Sequence, residues 1–242
     1  MSKTPTTLRL DRLLSNLAYA SRREVSIACR RGIITLKGEK VSKASTLIPL
    51  ALVHAGALKF NGEIVGPASP LTIMLHKPAG YTCSHNDTGA LVYDLLPPRW
   101  RHRKPSLSTV GRLDKESTGQ LIFTDDGQLL HRIIHPRTHL PKHYHVTLRD
   151  TLKGDECALF ASGEFLLAND DKPLKPAAWQ PETAHSGVMT LTEGRYHQIR
   201  RMFEALGNHV THLHRFKTGE LELGDLKTGQ YQILTPEQIE QL

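Results

Sequence analysis

An α+β fold is predicted by three observations. Short apolar runs of strand length outnumber helical stripes, and the two kinds of element are not evenly interleaved. A Gly- and Pro-rich joint, Gly66-Pro67-Ala68-Ser69-Pro70, separates a small basic part from a larger neutral one. A doubly wound sheet would require regular alternation of strand and helix. At 242 residues the chain has room for one or two domains with a proper core.

The elements follow in order. Leu10, Leu13, Leu14 and Leu17 repeat at i, i+3, i+4 and i+7, which predicts a helix. Ser21-Arg22-Arg23-Glu24 is a capping box that opens a second, and Gly32 can end it. Arg22, Arg23, Arg30 and Arg31 then stand at the two ends of that short helix. Ile33 to Leu36 reads as a strand turning at Lys37-Gly38, and Lys59 to Val65 as a hairpin around Asn61-Gly62. Beyond the joint, Leu71 to Leu75 is a buried strand ending at Lys77-Pro78. Residues 97–105 (PPRWRHRKP) form a basic, proline-bracketed loop carrying Trp100. A strand over Leu121 to Thr124, a turn at Asp125-Asp126-Gly127 and a helix over Gln128 to His135, stopped by Pro136, come next. His143 to Leu148 is a strand. Ile199, Met202, Phe203 and Leu206 make a second clean helical stripe, closed by Gly207-Asn208, and short strands continue to Ile233.

The charge is unevenly placed. Of 31 Lys+Arg and 24 Asp+Glu, residues 1–70 hold 11 and 4, so the whole net charge of +7 lies before the joint. Such a basic module beside a neutral body points to a polyanion-binding appendage. Three separated cysteines, Cys29, Cys83 and Cys157, exclude a disulfide scaffold and fit a reducing, cytoplasmic setting. The most apolar stretch, Leu47 to Leu58, is too short for a membrane span, and the N-terminal residues hold no apolar signal segment. Among the 14 histidines, His131 and His135 share a helix face, yet no third ligand stands near in sequence, so no metal is expected. Neither phosphate-binding glycine motif occurs, which removes nucleotide cofactors.

Chemistry concentrates in two segments. Gly111-Arg112-Leu113-Asp114-Lys115-Glu116-Ser117-Thr118-Gly119 is the densest polar run between apolar ones. Asp114 and Glu116 would share a face of an extended chain, as a glycosidase pair would, or Asp114 would act alone as a nucleophile beside an arginine. The second segment is Glu193-Gly194-Arg195-Tyr196-His197-Gln198-Ile199-Arg200-Arg201. At 100° per residue, Arg200 falls roughly 110° and Arg201 roughly 150° from the centre of the apolar stripe. Arg200 can therefore reach the edge of a buried site, whereas Arg201 should face solvent or phosphate.

Several segments in order carry a family resemblance. They are His76-Lys77-Pro78-Ala79-Gly80-Tyr81, Gly111-Arg112-Leu113-Asp114 with Ser117-Thr118-Gly119, Thr124-Asp125-Asp126-Gly127, Lys142-His143-Tyr144, and Gly194 to Met202. From about Leu8 onward the chain resembles the S4-domain RNA pseudouridine synthases. Lys175-Pro176-Ala177, Tyr196-His197-Gln198, Gly207-Asn208-His209-Val210 and Leu213-His214-Arg215 are most similar to members acting on small-subunit (16S) ribosomal RNA.

The resemblance implies an S4-type RNA-binding domain over 8–65, a linker over 66–70 and a catalytic domain over 71–242 built on a mixed, mainly antiparallel sheet. It implies Asp114 as the catalytic aspartate, Tyr144 as the tyrosine that stacks on the target base and Arg200 as the partner of the aspartate. Leu213 would line the pocket, Arg112 would contact the backbone of the flipped nucleotide, and Arg201 would bind substrate. Arg22, Arg23, Arg30 and Arg31, with Arg101 and Arg103 of the basic loop, would bind RNA. No cofactor or metal is implied, and the partner would be ribosomal RNA, within an assembling small subunit, met by a monomer. Gln120 departs from the pattern, because it places a polar side chain beside a buried strand and so needs a partner. Residues 41–60 follow the S4 pattern loosely. Rival readings are an enzyme of the same family acting on large-subunit RNA, a non-catalytic S4-type RNA-binding protein, and a glycosidase needing Glu116 as much as Asp114.

Overall fold

A computed structural model describes residues 6–135, 138 and 140–242. The expected helix stop Pro136 lies outside the described residues. In chain order the elements of the N-terminal part are β1 (Thr7–Arg9), α1 (Leu10–Asn16), α2 (Arg22–Arg30), β2 (Ile34–Leu36), β3 (Glu39–Lys40), β4 (Leu47–Pro49), α3 (Leu50–His54), β5 (Leu58–Phe60) and β6 (Glu63–Ile64). There follow β7 (Thr72–Lys77), β8 (Ser108–Val110), β9 (Thr118–Thr124), α4 (Gly127–Ile134), β10 (Lys142–Leu148), α5 (Glu156–Ala161), β11 (Ala178–Thr183), β12 (Ser186–Leu191), α6 (Gln198–Ala205), β13 (Val210–Thr218), β14 (Leu221–Glu222), β15 (Tyr231–Ile233) and α7 (Pro236–Glu240).

The chain forms two compact units. One takes Met1–Thr72 together with Leu96–Ser108 and Thr124–Gly127, and the other takes the rest. The first therefore includes two segments lying well past the joint. Its four-stranded sheet runs β3-β2-β5-β6, with a separate β1–β4 pair. The leucine stripe of α1 is buried as its spacing requires: Leu10, Leu13 and Leu14 pack with Val25, Ile34, Ile48 and Leu58 in one core. Each such side chain contributes about 1.5–3 kcal/mol on burial. The Ser21–Glu24 capping box forms in full, and Asn61 and Gly62 both adopt the left-handed backbone that a two-residue hairpin turn demands. Residues 41–60, loosely patterned in sequence, hold β4 and the five-residue α3.

Residues 97–105 are a difference. A 3-10 turn spans Pro98–His102, and Trp100 is buried beneath it. Arg103 is almost wholly buried. It is 2% exposed and donates from Nη2 to Asp125 Oδ2 at 2.7 Å and from Nη1 to the Pro67 carbonyl at 3.1 Å. Asp125 also accepts from Ser69 Oγ at 2.6 Å and from the Leu71 amide at 2.7 Å. Counting basic residues cannot reveal a carboxylate elsewhere in the chain, so the expectation that Arg103 contacts RNA is corrected to a buried ion pair. Arg101 is exposed, as are Arg22, Arg23, Arg30 and Arg31.

The second unit is mixed, as predicted. Its nine-stranded sheet runs β11-β12-β10-β13-β9-β7-β15, with β14 pairing β13 and β8 pairing β9. The pairings β10–β12, β10–β13, β11–β12 and β15–β7 are antiparallel, and β13–β9 is parallel. At that parallel junction Gly119 opposes Arg215 with φ +106°, and a Cβ there would meet the Arg215 carbonyl oxygen at 2.1 Å. Only glycine fits. Gln120 next to it is fully buried, and its amide donates to the Leu221 carbonyl at 2.8 Å.

Candidate active site

The turn between β8 and β9 brings Asp114 to the wall of a cleft of about 810 Å³. Backbone glycines and a buried ammonium shape that turn. Gly111 has φ +74°, a conformation glycine takes at no steric cost. Lys77, at the end of β7, is 0% exposed, and its Nζ donates to the carbonyls of Ser117 at 2.7 Å, Lys115 at 2.9 Å and Pro78 at 3.0 Å. Burial pushes this ammonium below the usual lysine range. All three of its protons are directed at backbone oxygens, so the segment carrying Asp114 is tied to the strand beneath it.

Two cationic or ionisable side chains of α6 and its N-cap flank the carboxylate. Arg200 Nε stands 3.5 Å from Asp114 Oδ2, and His197 Nε2 stands 3.5 Å from Oδ1. Ser117 Oγ lies 3.4 Å from Oδ2. The Arg200 guanidinium is oriented by the Val210 carbonyl, to which Nη1 donates at 3.0 Å. Asp114 keeps 28% side-chain exposure and Arg200 23%, so the pair remains open to a substrate and partly screened by water.

The far side of the cleft is the sheet. In β10, Tyr144, Val146 and Leu148 are buried while His145 and Thr147 are exposed, the alternation of a one-sided strand. Tyr144 pairs with Arg215 of β13, and Leu213 lies two residues from Arg215 on the same face. Tyr144, Leu213, Arg215 and Lys142 all line the cleft with Asp114, as does exposed Arg112. Lys142 is pushed down to about 8 by burial and, secondarily, by the Arg215 charge. Cys83 lines the same wall, and burial pushes its thiol up, away from the reactive thiolate.

Asp114, Tyr144, Arg112 and Leu213, read from sequence, thus line one cleft, and Arg200 stands against Asp114 at its edge. Arg201 does not. Its Nη2 donates to Asp170 Oδ1 at 2.6 Å and to the Ala168 carbonyl at 2.7 Å, so the expected solvent- or phosphate-facing arginine is an internal tether. The helical wheel placed it correctly away from the apolar stripe, but not against a loop from elsewhere. Glu116 is exposed and off the cleft wall, which removes the carboxylate pair of a glycosidase. The sequence motifs contain His197, Lys77, Lys142 and Arg215 but assign them no roles at the site. For His197 a signal existed, since it stands three residues before Arg200 and hence on the same side of the helix start. Among the described residues no cluster of His, Cys, Asp and Glu could hold a metal ion, and no helix is long and apolar enough to cross a membrane.

Comparison with known proteins identifies the family. The family model described as RNA pseudouridylate synthase matches residues 71–205, the stretch holding Asp114, Tyr144 and Arg200. Proteins named ribosomal small subunit pseudouridine synthase A are similar over nearly the whole chain. The one from Escherichia coli K12 is 37% identical over 237 residues, covering 96% of this chain and 98% of its own. The one from Yersinia pestis is 38% identical over 239 residues, covering 96% and 97%. A crystal structure of a pseudouridylate synthase superposes with a TM-score of 0.67 at 36% identity, covering 97% of this chain and 99% of that one. On the matched family model and on relatives well above 30% identity across both full lengths, the chain belongs to the RNA pseudouridylate synthase family.

Proposed function

We propose that this protein isomerises one uridine of small-subunit (16S) ribosomal RNA to pseudouridine, with Asp114 as the nucleophile. The observation that carries the reading is the Asp114 carboxylate, flanked by Arg200 and His197 on the wall of a cleft whose opposite side is Tyr144 and Leu213. The substrate follows from the names of the relatives. In the reaction the bond from C1′ to N1 breaks, the uracil turns, and a bond from C1′ to C5 forms. N1 gains a proton and C5 loses one, so the product is an isomer and no cofactor is consumed.

The residues divide the work. Taking the uridine out of its stack costs a few kcal/mol. Stacking on Tyr144 offsets about 1–3 kcal/mol of that. Leu213 supplies an apolar floor, and Arg112, exposed at the rim, meets the phosphate of the flipped nucleotide. Asp114 acts on the sugar–base unit, with the Arg200 guanidinium 3.5 Å from its carboxylate.

We assign residues 8–65 to an S4-type RNA-binding domain, 66–70 to a linker and 71–242 to the catalytic domain. Arg22, Arg23, Arg30, Arg31 and Arg101 are the exposed cations offered to phosphate. We place the enzyme in the cytoplasm as a monomer, acting on RNA within an assembling small subunit.

The test incubates the protein with unmodified small-subunit RNA, free and partly assembled with ribosomal proteins, beside Asp114→Asn. Nucleoside mass spectrometry and site mapping read the product. One new pseudouridine, absent with the variant, is expected. Product on large-subunit RNA alone would overturn the substrate, and product made equally by Asp114→Asn would overturn the nucleophile.

A further inference from the structure

On the wall of the cleft lies an aromatic pair whose stacking the reaction as described does not use. The rings of Tyr196 and His197 are stacked, with centroids 3.9 Å apart and planes 17° from parallel. Tyr196 is 70% exposed, more than any other large hydrophobic side chain among the described residues. Both residues line the cleft that holds Asp114. An exposed aromatic ring on the wall of the cleft that holds Asp114 can offer its face to an incoming π-system.

The pair is held in place. His197 has φ 50° and ψ 32°, a left-handed backbone that a histidine keeps only under constraint from its surroundings. The constraint comes from both sides of the step. Arg195 Nη1 donates to Asp170 Oδ2 at 2.8 Å and to the Lys172 carbonyl at 2.7 Å. Arg201 Nη2 donates to the other oxygen of the same carboxylate at 2.6 Å. The Arg195 amide donates to Gln198 Oε1 at 2.9 Å. Asp170 therefore takes one arginine from before Tyr196-His197 and one from after it. The histidine edge meets Asp114, through Nε2 at 3.5 Å, and its face carries Tyr196.

We propose that Tyr196 and His197 form a stacking subsite for an unpaired nucleobase neighbouring the target uridine, separate from Tyr144. This inference rests on the reading of the protein as an RNA pseudouridine synthase. A uridine leaving its stack uncovers the π-face of its neighbour. Tyr196, one residue from a side chain that touches the reacting carboxylate, is placed to cover that face. Stacking of this kind accepts any base, since each has a π-face. The subsite selects for an open, single-stranded neighbourhood and not for a sequence.

The test is a cycle between protein and RNA. Wild type, Tyr196→Ala and Tyr196→Phe act on an RNA spanning the site that wild type modifies, either intact or carrying an abasic nucleotide beside the target. Tyr196→Ala is expected to raise KM on intact RNA by roughly five- to a hundredfold, with Tyr196→Phe restoring it. On one abasic RNA, wild type is expected to fall to the level of Tyr196→Ala, and the variant to fall no further. An equal loss by Tyr196→Ala on intact and abasic RNA would make Tyr196 a mere support for His197 and overturn the subsite, as would no loss at all. If wild type makes no pseudouridine on any ribosomal RNA, the function itself falls, and a separate readout then decides the subsite. Wild type and Tyr196→Phe should quench 2-aminopurine next to uridine in a short single-stranded RNA while Tyr196→Ala does not. Absence of quenching by wild type would overturn the proposal.

Discussion

Arg200 Nε stands 3.5 Å from Asp114 Oδ2 while the same guanidinium is anchored on the Val210 carbonyl at 3.0 Å. The anchor holds the guanidinium beside the carboxylate without relying on Asp114 itself. Arg200→Ala is expected to lower kcat by about 10²–10³, the scale of losing one preorganised electrostatic partner. Arg200→Lys should recover part of that. Asp114→Asn should lose more than Arg200→Ala while binding RNA as wild type does, read by single-turnover kinetics beside filter binding. A kcat for Arg200→Ala within threefold of wild type would detach this arginine from the chemistry.

Lys77 is buried with all three protons on backbone carbonyls of 78, 115 and 117. Lys77→Met keeps the stem and takes one donor from each of those carbonyls, of which that of Lys115 keeps the Gly80 amide at 2.9 Å. The expected cost is about 2–4 kcal/mol of stability, measured by urea unfolding. Activity at a temperature where the variant is folded should also fall, because the turn bearing Asp114 loses its tie. Full activity in a destabilised variant would show that the turn holds its shape unaided.

The Arg103–Asp125 pair is almost wholly shielded, with side-chain exposures of 1% and 0%. Arg103→Ala leaves a buried carboxylate without its cation, at a cost of about 3–5 kcal/mol. For a chain of this size that corresponds to a melting temperature lower by roughly 6–20 °C. RNA affinity below the transition should stay within twofold. A large loss of affinity with unchanged melting would return Arg103 to the RNA face.

What was legible in the sequence was local or carried by motif order. The Ser21–Glu24 box closes within one turn, and the spacing of Leu10, Leu13, Leu14 and Leu17 marks an apolar helix face whatever later covers it, so spacing alone predicts both. The capping box of α7, Thr235 with Gln238, is an equally local signal, opening a helix of five residues. Asp114, Tyr144 and Arg200 lie on three distant segments, and only their order within family motifs placed them together. The partners of Arg103, Arg201 and Lys77 are set by tertiary packing. A basic residue looks the same in sequence whether a carboxylate, a carbonyl or solvent waits for it.

Arg30 and Arg31 stand exposed at the C-terminal end of α2. If both meet phosphate, each contributes roughly 0.7–0.9 to the slope of log affinity against log salt. The double variant Arg30→Ala with Arg31→Ala should flatten that slope by about 1.4–1.8, measured by filter binding across salt concentrations. An unchanged slope would take both residues off the RNA face.

Lys142, on the cleft wall, is pushed down to about 8 from the usual lysine value by burial first and by Arg215 second. The unfolded chain keeps that proton to about pH 10.4. Between about pH 8 and pH 10.4 the unfolded chain therefore binds more protons than the folded one, and stability rises with pH across that window. Below pH 8 both forms are charged, the full cost of burying the ammonium is present, and this contribution becomes flat. Lys142→Met removes the charge and also the bond from Nζ to the Leu140 carbonyl at 3.0 Å, which offsets part of the gain. The variant is expected to exceed wild type at pH 7 by on the order of 1 kcal/mol, after allowing for partial contact with water. The advantage should shrink as pH approaches 10. Urea unfolding at pH 7, 8.5 and 10 reads the difference, and a difference constant across all three would mean that Lys142 titrates as an ordinary ammonium.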